Sequence, residues 1–208
     1  MTEEQILILL RQHLPDASVE YCFGLWRARP FNLKIAKSRQ TKIGDFTCKH
    51  GAQTPRITLN HDLNPYTFLI TYIHEIAHLH VFLTFGHRVE PHGDQWKAAF
   101  QKLLKPLLTA EFFPEKILLP LIDHMQNPRA SSFADVVLTK VLRSFDKNAH
   151  ADIILSDLPE GSTFQLNGRF FKKGKLRRTR VLCKEMNSKR QYLVPAEALV
   201  SHVQLSLL

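Results

Sequence analysis

From Phe68 to Phe85 the chain is apolar enough to form the middle of a fold, yet that stretch also carries His74, Glu75, His78 and His80. Imidazoles and a carboxylate buried in an apolar helix are costly unless something satisfies them. Any fold built on this segment must therefore bring a compensating group to it. Residues four apart share one helix face, one turn apart, so His74 and His78 aim two rings at one point with Glu75 beside it. This is the H-E-x-x-H spacing of a metal-binding helix. Catalytic zinc takes three protein ligands and keeps a fourth position for water, so a third ligand must come from outside the pair.

The candidates are His80, His87, Glu90 and His92. His80 lies two residues beyond His78, a rotation of roughly 200° around the helix, and faces away. Geometry leaves His87 and Glu90 open. His92 is better placed, because Pro91 and Gly93 hold a tight turn from which a side chain reaches back to the helix. The competing reading is an exposed salt-bridging helix. The apolar neighbours Leu69, Ile70, Ile73, Ile76, Ala77, Val81 and Phe82 argue against it.

The periodicities on either side predict an α+β fold. Thr2 caps a first helix carrying Ile6, Leu7 and Leu10, and a second runs from about Ser18 to Ala28. From Phe31 the period shortens to two, predicting three short strands in a meander: Phe31 to Ala36, Phe46 to Cys48 and Arg56 to Leu59. Asn64 and Pro65 start the long helix, which should stop near Gly86. Asp94 is expected to cap a helix with Trp96, Ala99, Phe100, Leu103 and Leu104 on one face, and further helices are read at Ile117 to Met125 and Phe133 to Phe145. From Gly161 the texture is β again, with Asn167-Gly168 as a hairpin signal. A boundary near residues 150 to 160 follows, dividing a domain of 1–155 from a β-rich module of 156–208. Tyr66 and Tyr72 are read as core residues before oxyanion donors.

Cys22, Cys48 and Cys183 are too few and too scattered for a disulfide framework or a four-cysteine metal site, which fits a reducing compartment. The polar residues within the Phe68–Phe85 stretch argue against a membrane span, and Thr2-Glu3-Glu4 lacks the basic start of a secretory signal. A cytoplasmic location is expected. The net charge of +9 favours phosphate-rich partners.

The runs Ile57-Thr58-Leu59-Asn60, His74-Glu75-Ile76-Ala77-His78-Leu79, Phe85-Gly86 and Pro91-His92-Gly93-Asp94-Gln95-Trp96 resemble the SprT-like metallopeptidase family, over about residues 30 to 110. The resemblance implies a zincin-like (minigluzincin) core with a short three-stranded sheet and the H-E-x-x-H helix. It implies zinc on His74, His78 and His92, with Glu75 as the base. The implied reaction is hydrolysis of a peptide bond by metal-activated water, Glu75 taking the water proton and passing it to the leaving amine. The strand ending at Asn60, or its neighbour, would offer an edge to an extended peptide.

The resemblance also implies a C-terminal zinc ribbon, and here the sequence departs from it. That region offers only Cys183 and His202 as ligand types, so it is read as a metal-free β module with Cys183 as a small hydrophobe. Its basic run supplies candidate nucleic-acid contacts at Lys172, Lys173, Lys175, Arg177, Arg178 and Arg180. Spartan-type relatives act on proteins crosslinked to DNA, which implies a protein or peptide substrate and a DNA or other nucleic-acid partner. The alternative is a nucleic-acid-binding or regulatory protein with a structural zinc site and no turnover.

Overall fold

The computed structural model describes residues 1–39, 42–48, 54–86, 88–129, 135–146, 152–196 and 198–202. The chain divides into two compact units, Met1–Leu138 and Thr139–Leu208. The division falls inside a helix, upstream of residues 150 to 160.

In the first unit, helix α1 (Glu3–His13) opens with a capping box: the Thr2 hydroxyl accepts from the Gln5 backbone while the Gln5 side chain accepts from the Thr2 N–H. Helix α2 (Val19–Ala28) follows a 3-10 turn. Strands β1 (Asn32–Ala36), β2 (Gly44–Thr47) and β3 (Arg56–Asn60) form one sheet, helix α3 spans Pro65–Phe85, and helices α4 (Asp94–Leu104) and α5 (Glu115–His124) follow. Ile6, Leu10, Cys22, Trp26, Trp96, Phe100 and Leu121 turn their apolar faces into the core. Buried polar groups on this layer are tied off. Tyr72 donates its hydroxyl to the Cys22 carbonyl at 3.1 Å, and Trp26 its indole N–H to the Phe31 carbonyl at 2.9 Å.

The three strands do not form a meander. β3 lies between the others, parallel to β1 (Leu33 opposite Ile57, Ala36 opposite Asn60) and antiparallel to β2 (Asp45 opposite Thr58, Phe46 opposite Ile57). Parallel strands are not joined by a tight turn, and β2 accordingly pairs on the far side of β3 from β1. β3 is buried from Ile57 to Asn60. Among the described residues the edges of this sheet belong to β1 and β2, and the strand that ends at Asn60 is central.

Helix α3 is long and apolar enough to cross a membrane by length and composition alone. Its apolar side chains are used otherwise: twelve of its residues, from Thr67 to Val81, are buried within this unit. Asn64 caps it by accepting from the Tyr66 and Thr67 backbone N–H groups. At the other end Gly86 takes φ +65°, a conformation that costs glycine nothing, and the helix stops.

In the second unit, helix α6 (Val136–Arg143), which begins just before the division, precedes a six-stranded antiparallel sheet. The strands are β4 (Asp152–Ile154), β5 (Thr163–Leu166), β6 (Arg169–Arg177), β7 (Arg180–Glu185), β8 (Gln191–Pro195) and β9 (Leu199–His202), in the order β4-β9-β5-β6-β7-β8. The expected helix start at Phe133 lies outside the described residues. The hairpin at Asn167-Gly168 has positive φ at both positions, 51° and 74°, as a tight two-residue turn requires. Leu155, Phe164, Phe171, Val181, Cys183, Val194 and Val200 form the core of this sheet.

Candidate metal centre

His74 and His78 project from one face of α3, and His92 returns from the turn before α4. That turn is closed by the Gly93 N–H donating to the Glu90 carbonyl at 3.1 Å. The three Nε2 atoms form a triangle with sides of 3.1 Å (His74–His78), 3.0 Å (His78–His92) and 3.3 Å (His74–His92). Tetrahedral zinc with Zn–N bonds near 2.0–2.1 Å sets its nitrogen ligands about 3.3 Å apart, so the triangle has the dimensions of such a ligand set. Three neutral imidazoles cannot satisfy one another in this arrangement, because each Nε2 is either a donor or an acceptor and a single N–H points at one partner. A cation accepting three lone pairs resolves the conflict. Among the described residues this is the one group of three or more His, Cys, Asp or Glu side chains able to share an ion.

Trp96, fully buried on α4, is the floor of the triangle. Its ring centroid lies 4.6, 5.5 and 4.8 Å from those of His74, His78 and His92, and its indole N–H approaches the His74 carbonyl at 3.4 Å. Phe100 packs behind Trp96 and against His74. Burial, with the neighbouring imidazoles as a second cause, lowers the His74 pKa to about 2 and that of His78 to about 4. Burial lowers that of His92 as well. The rings are therefore held neutral, as metal ligands must be.

Glu75 is 5% exposed. Burial raises its pKa to about 8, and Asp45 adds to the rise; the Phe46 backbone N–H, which donates to its carboxylate, and the cations Arg39 and Lys42 oppose it. Glu75 thus sits between the histidine triangle and β2. Arg39 pairs with Asp45, and its Nε donates to the Asn60 side-chain oxygen at 2.8 Å. An open cleft of about 1090 Å³ is lined by the three histidines, Glu75, β2, Phe82, Val89 and Pro91.

Two of the other candidate ligands are not part of the cluster. His80 and Glu90 are not among its members, and His87 lies outside the described residues. Tyr72 is spent on the core, and Tyr66 packs its ring against Phe113. The roles of Arg39, Asp45, the Phe46 N–H and the Trp96 floor were not read from the sequence. The one signal that pointed their way is the Asn60 that ends the Ile57-Thr58-Leu59 run.

In the β module Lys173 is not on the surface assigned to it. β6 alternates as far as Lys173, so Phe171 and Lys173 turn inward while Lys172 faces solvent; the register then shifts between Lys173 and Leu176, and Lys175 is exposed. Lys173 donates its ammonium to the Ser156 and Leu158 carbonyls. Lys172, Lys175, Arg177, Arg178 and Arg180 are exposed. Arg169 is drawn to Glu185 at 2.5 Å and lies over the rings of Phe171 and Tyr192. Cys183 is fully buried, and burial pushes its thiol up to about 11, which leaves it a packing residue.

Comparison with curated proteins and with solved structures gives no match. The model of the SprT-like family matches residues 13–112, a span that contains all three strands, α3, the His92 turn and α4. Over residues 13–112, just under half of the chain, the sequence is similar to the SprT-like family.

Proposed function

We propose that this protein is a zinc-dependent metallopeptidase with a zincin-like core, in which His74, His78 and His92 hold the metal and Glu75 is the general base. The observation that carries the reading is the triangle of Nε2 atoms, 3.0 to 3.3 Å on a side, with a buried carboxylate one residue from its first member. A zinc ion in such a site lowers the pKa of water and polarises a carbonyl. The rest is the work of this chain's residues. Glu75 takes the proton of the attacking water and returns it to the leaving amine. A pKa raised by burial towards neutrality suits a group that must both accept and release that proton. The edge of β2 offers backbone groups to an extended substrate running through the cleft.

The exposed cations of the β module, Lys172, Lys175, Arg177, Arg178 and Arg180, support a nucleic-acid partner that brings the peptidase to DNA-associated proteins. Metal analysis together with hydrolysis of a casein-type substrate, with and without DNA, tests the reading. About one equivalent of zinc is expected, lost on His78→Ala and on His92→Ala. Glu75→Gln should keep the zinc and abolish hydrolysis. A Glu75→Gln protein that hydrolyses as the parent does, or a parent that hydrolyses nothing, makes the zinc a structural ion.

A further inference from the structure

Strand β2 crosses α3 at unusually short range, and the crossing point is the general base. A Cβ built on Gly44 would stand 2.7 Å from Oε1 of Glu75, 2.6 Å from Cγ2 of Thr71 and 3.1 Å from Cδ2 of Leu59. No alanine fits without displacing one of them. Two residues on, the Phe46 N–H donates to the Glu75 carboxylate. The approach of β2 is braced by a buried hub at the end of β3. Asn60, 1% exposed, accepts from Arg39 Nε at 2.8 Å and donates through its amide to the carbonyls of Arg39 and Lys42 at 3.2 and 3.3 Å. Its own N–H bonds the Ile43 carbonyl at 2.9 Å. Arg39 in turn grips Asp45, the residue between Gly44 and Phe46, and reaches the Thr58 carbonyl at 3.4 Å.

We propose that Gly44 and Arg39 are positioning residues for Glu75: Gly44 by leaving room for the carboxylate against β2, and Arg39, anchored on Asn60, by fixing β2 where the Phe46 N–H meets it. This rests on the metallopeptidase reading. A carboxylate held on one side by a backbone N–H keeps a fixed orientation toward the proton it transfers, and a base that wanders by about 1 Å loses on the order of a hundredfold in rate.

The test uses the full-length zinc-loaded protein and one peptide substrate. Gly44→Ala should lower kcat by about a hundredfold, with KM within about threefold and zinc near one equivalent. Arg39→Lys, which keeps the charge but cannot bridge Asn60, Asp45 and Thr58 together, should lower kcat by about tenfold in the same pattern. Adding Thr71→Ser to Gly44→Ala removes the clashing methyl and leaves the clash with Glu75. The double variant should regain thermal stability without regaining kcat. Recovery of kcat in the double variant, or single variants within twofold of the parent, overturns the assignment. Should Gly44→Ala not fold, Arg39→Lys decides by itself. A parent without Glu75-dependent hydrolysis overturns the peptidase reading and this one with it. A parent that hydrolyses beside an equally active Gly44→Ala overturns only this one.

Discussion

At the scale of single residues the centre is a balance between groups that resist protons and one that keeps its own. In the metal-free protein the folded state withholds protons from His74 and His78, whose pKa values fall to about 2 and about 4, and from His92, which is also lowered. An unfolded chain would take those protons near pH 6.5, so folding stability is lost as pH falls below that value. Glu75 acts in the opposite sense. Its folded pKa of about 8 exceeds the unfolded value of 4.5, so the folded state holds an extra proton between them and loses stability as pH rises through that window. Three histidines outweigh one glutamate on the acid side, so these four groups place maximal stability of the chelator-treated protein near pH 6.5. Glu75→Gln should remove the decline between about pH 6.5 and 8 and steepen the fall on the acid side between about pH 6.5 and 4.5, where Glu75 opposes the histidines. Calorimetric melting temperatures of the metal-free parent and variant across pH 5 to 9 check this, and an alkaline decline of equal size in both defeats it. Lys173 makes a second residue-scale case. Lys173→Met strands the Ser156 and Leu158 carbonyls and should cost roughly 1–3 kcal/mol by urea denaturation. Lys172→Met, one position away on the solvent face, should cost next to nothing.

At the scale of elements, local signals located the helices and the three strands of the first sheet but missed the order in which those strands pair. The capping box at Thr2, the Asn64 cap with Pro65 behind it, and the stop at Gly86 are written into a few adjacent residues and are present in the fold. Asn64→Ala should therefore lower stability by about 1 kcal/mol, seen as a reduced denaturation midpoint with an unchanged slope. A midpoint equal to that of the parent would show that tertiary packing alone fixes the start of α3. Strand order is a different kind of information. The alternation in Leu33, Ile35, Ile57 and Leu59 marks strands but not neighbours, and β1 pairs with β3 across the β2 segment. Nothing local encodes that choice, since it depends on which strand can bury both faces, and Ile57 to Asn60 are the residues buried in the centre. The histidine pair was legible because a helix turns a spacing of four into contact. The clamp around Glu75 was not, because Gly44 and Phe46 meet it only through the long-range register of β2, and Arg39 acts on that strand through Asp45.

At the scale of the whole chain, charge is divided as unevenly as secondary structure. Residues 139–208 hold thirteen Lys and Arg against six Asp and Glu, which accounts for +7 of the net +9. The concentration sharpens from Arg169 to Pro195, where ten cations face Glu185 as the one acid. Glu185 is occupied by Arg169, and Lys173 turns inward, which leaves eight exposed cations on β6, β7 and the turns that follow them. Such a surface binds a phosphate polymer by releasing its counterions, so the logarithm of affinity falls linearly with the logarithm of salt, by about 0.9 for each phosphate neutralised on duplex DNA. Replacing Lys172, Lys175, Arg177, Arg178 and Arg180 together by glutamine should reduce that slope by about 4 and leave zinc content unchanged. Lys173→Met should not alter the slope, because that ammonium already serves two carbonyls. The measurement is a fluorescence-anisotropy titration of duplex DNA at five salt concentrations. An unchanged slope in the fivefold variant would move the nucleic-acid surface off this module, and a reduced slope with Lys173→Met would mean that the buried ammonium is released to the ligand on binding.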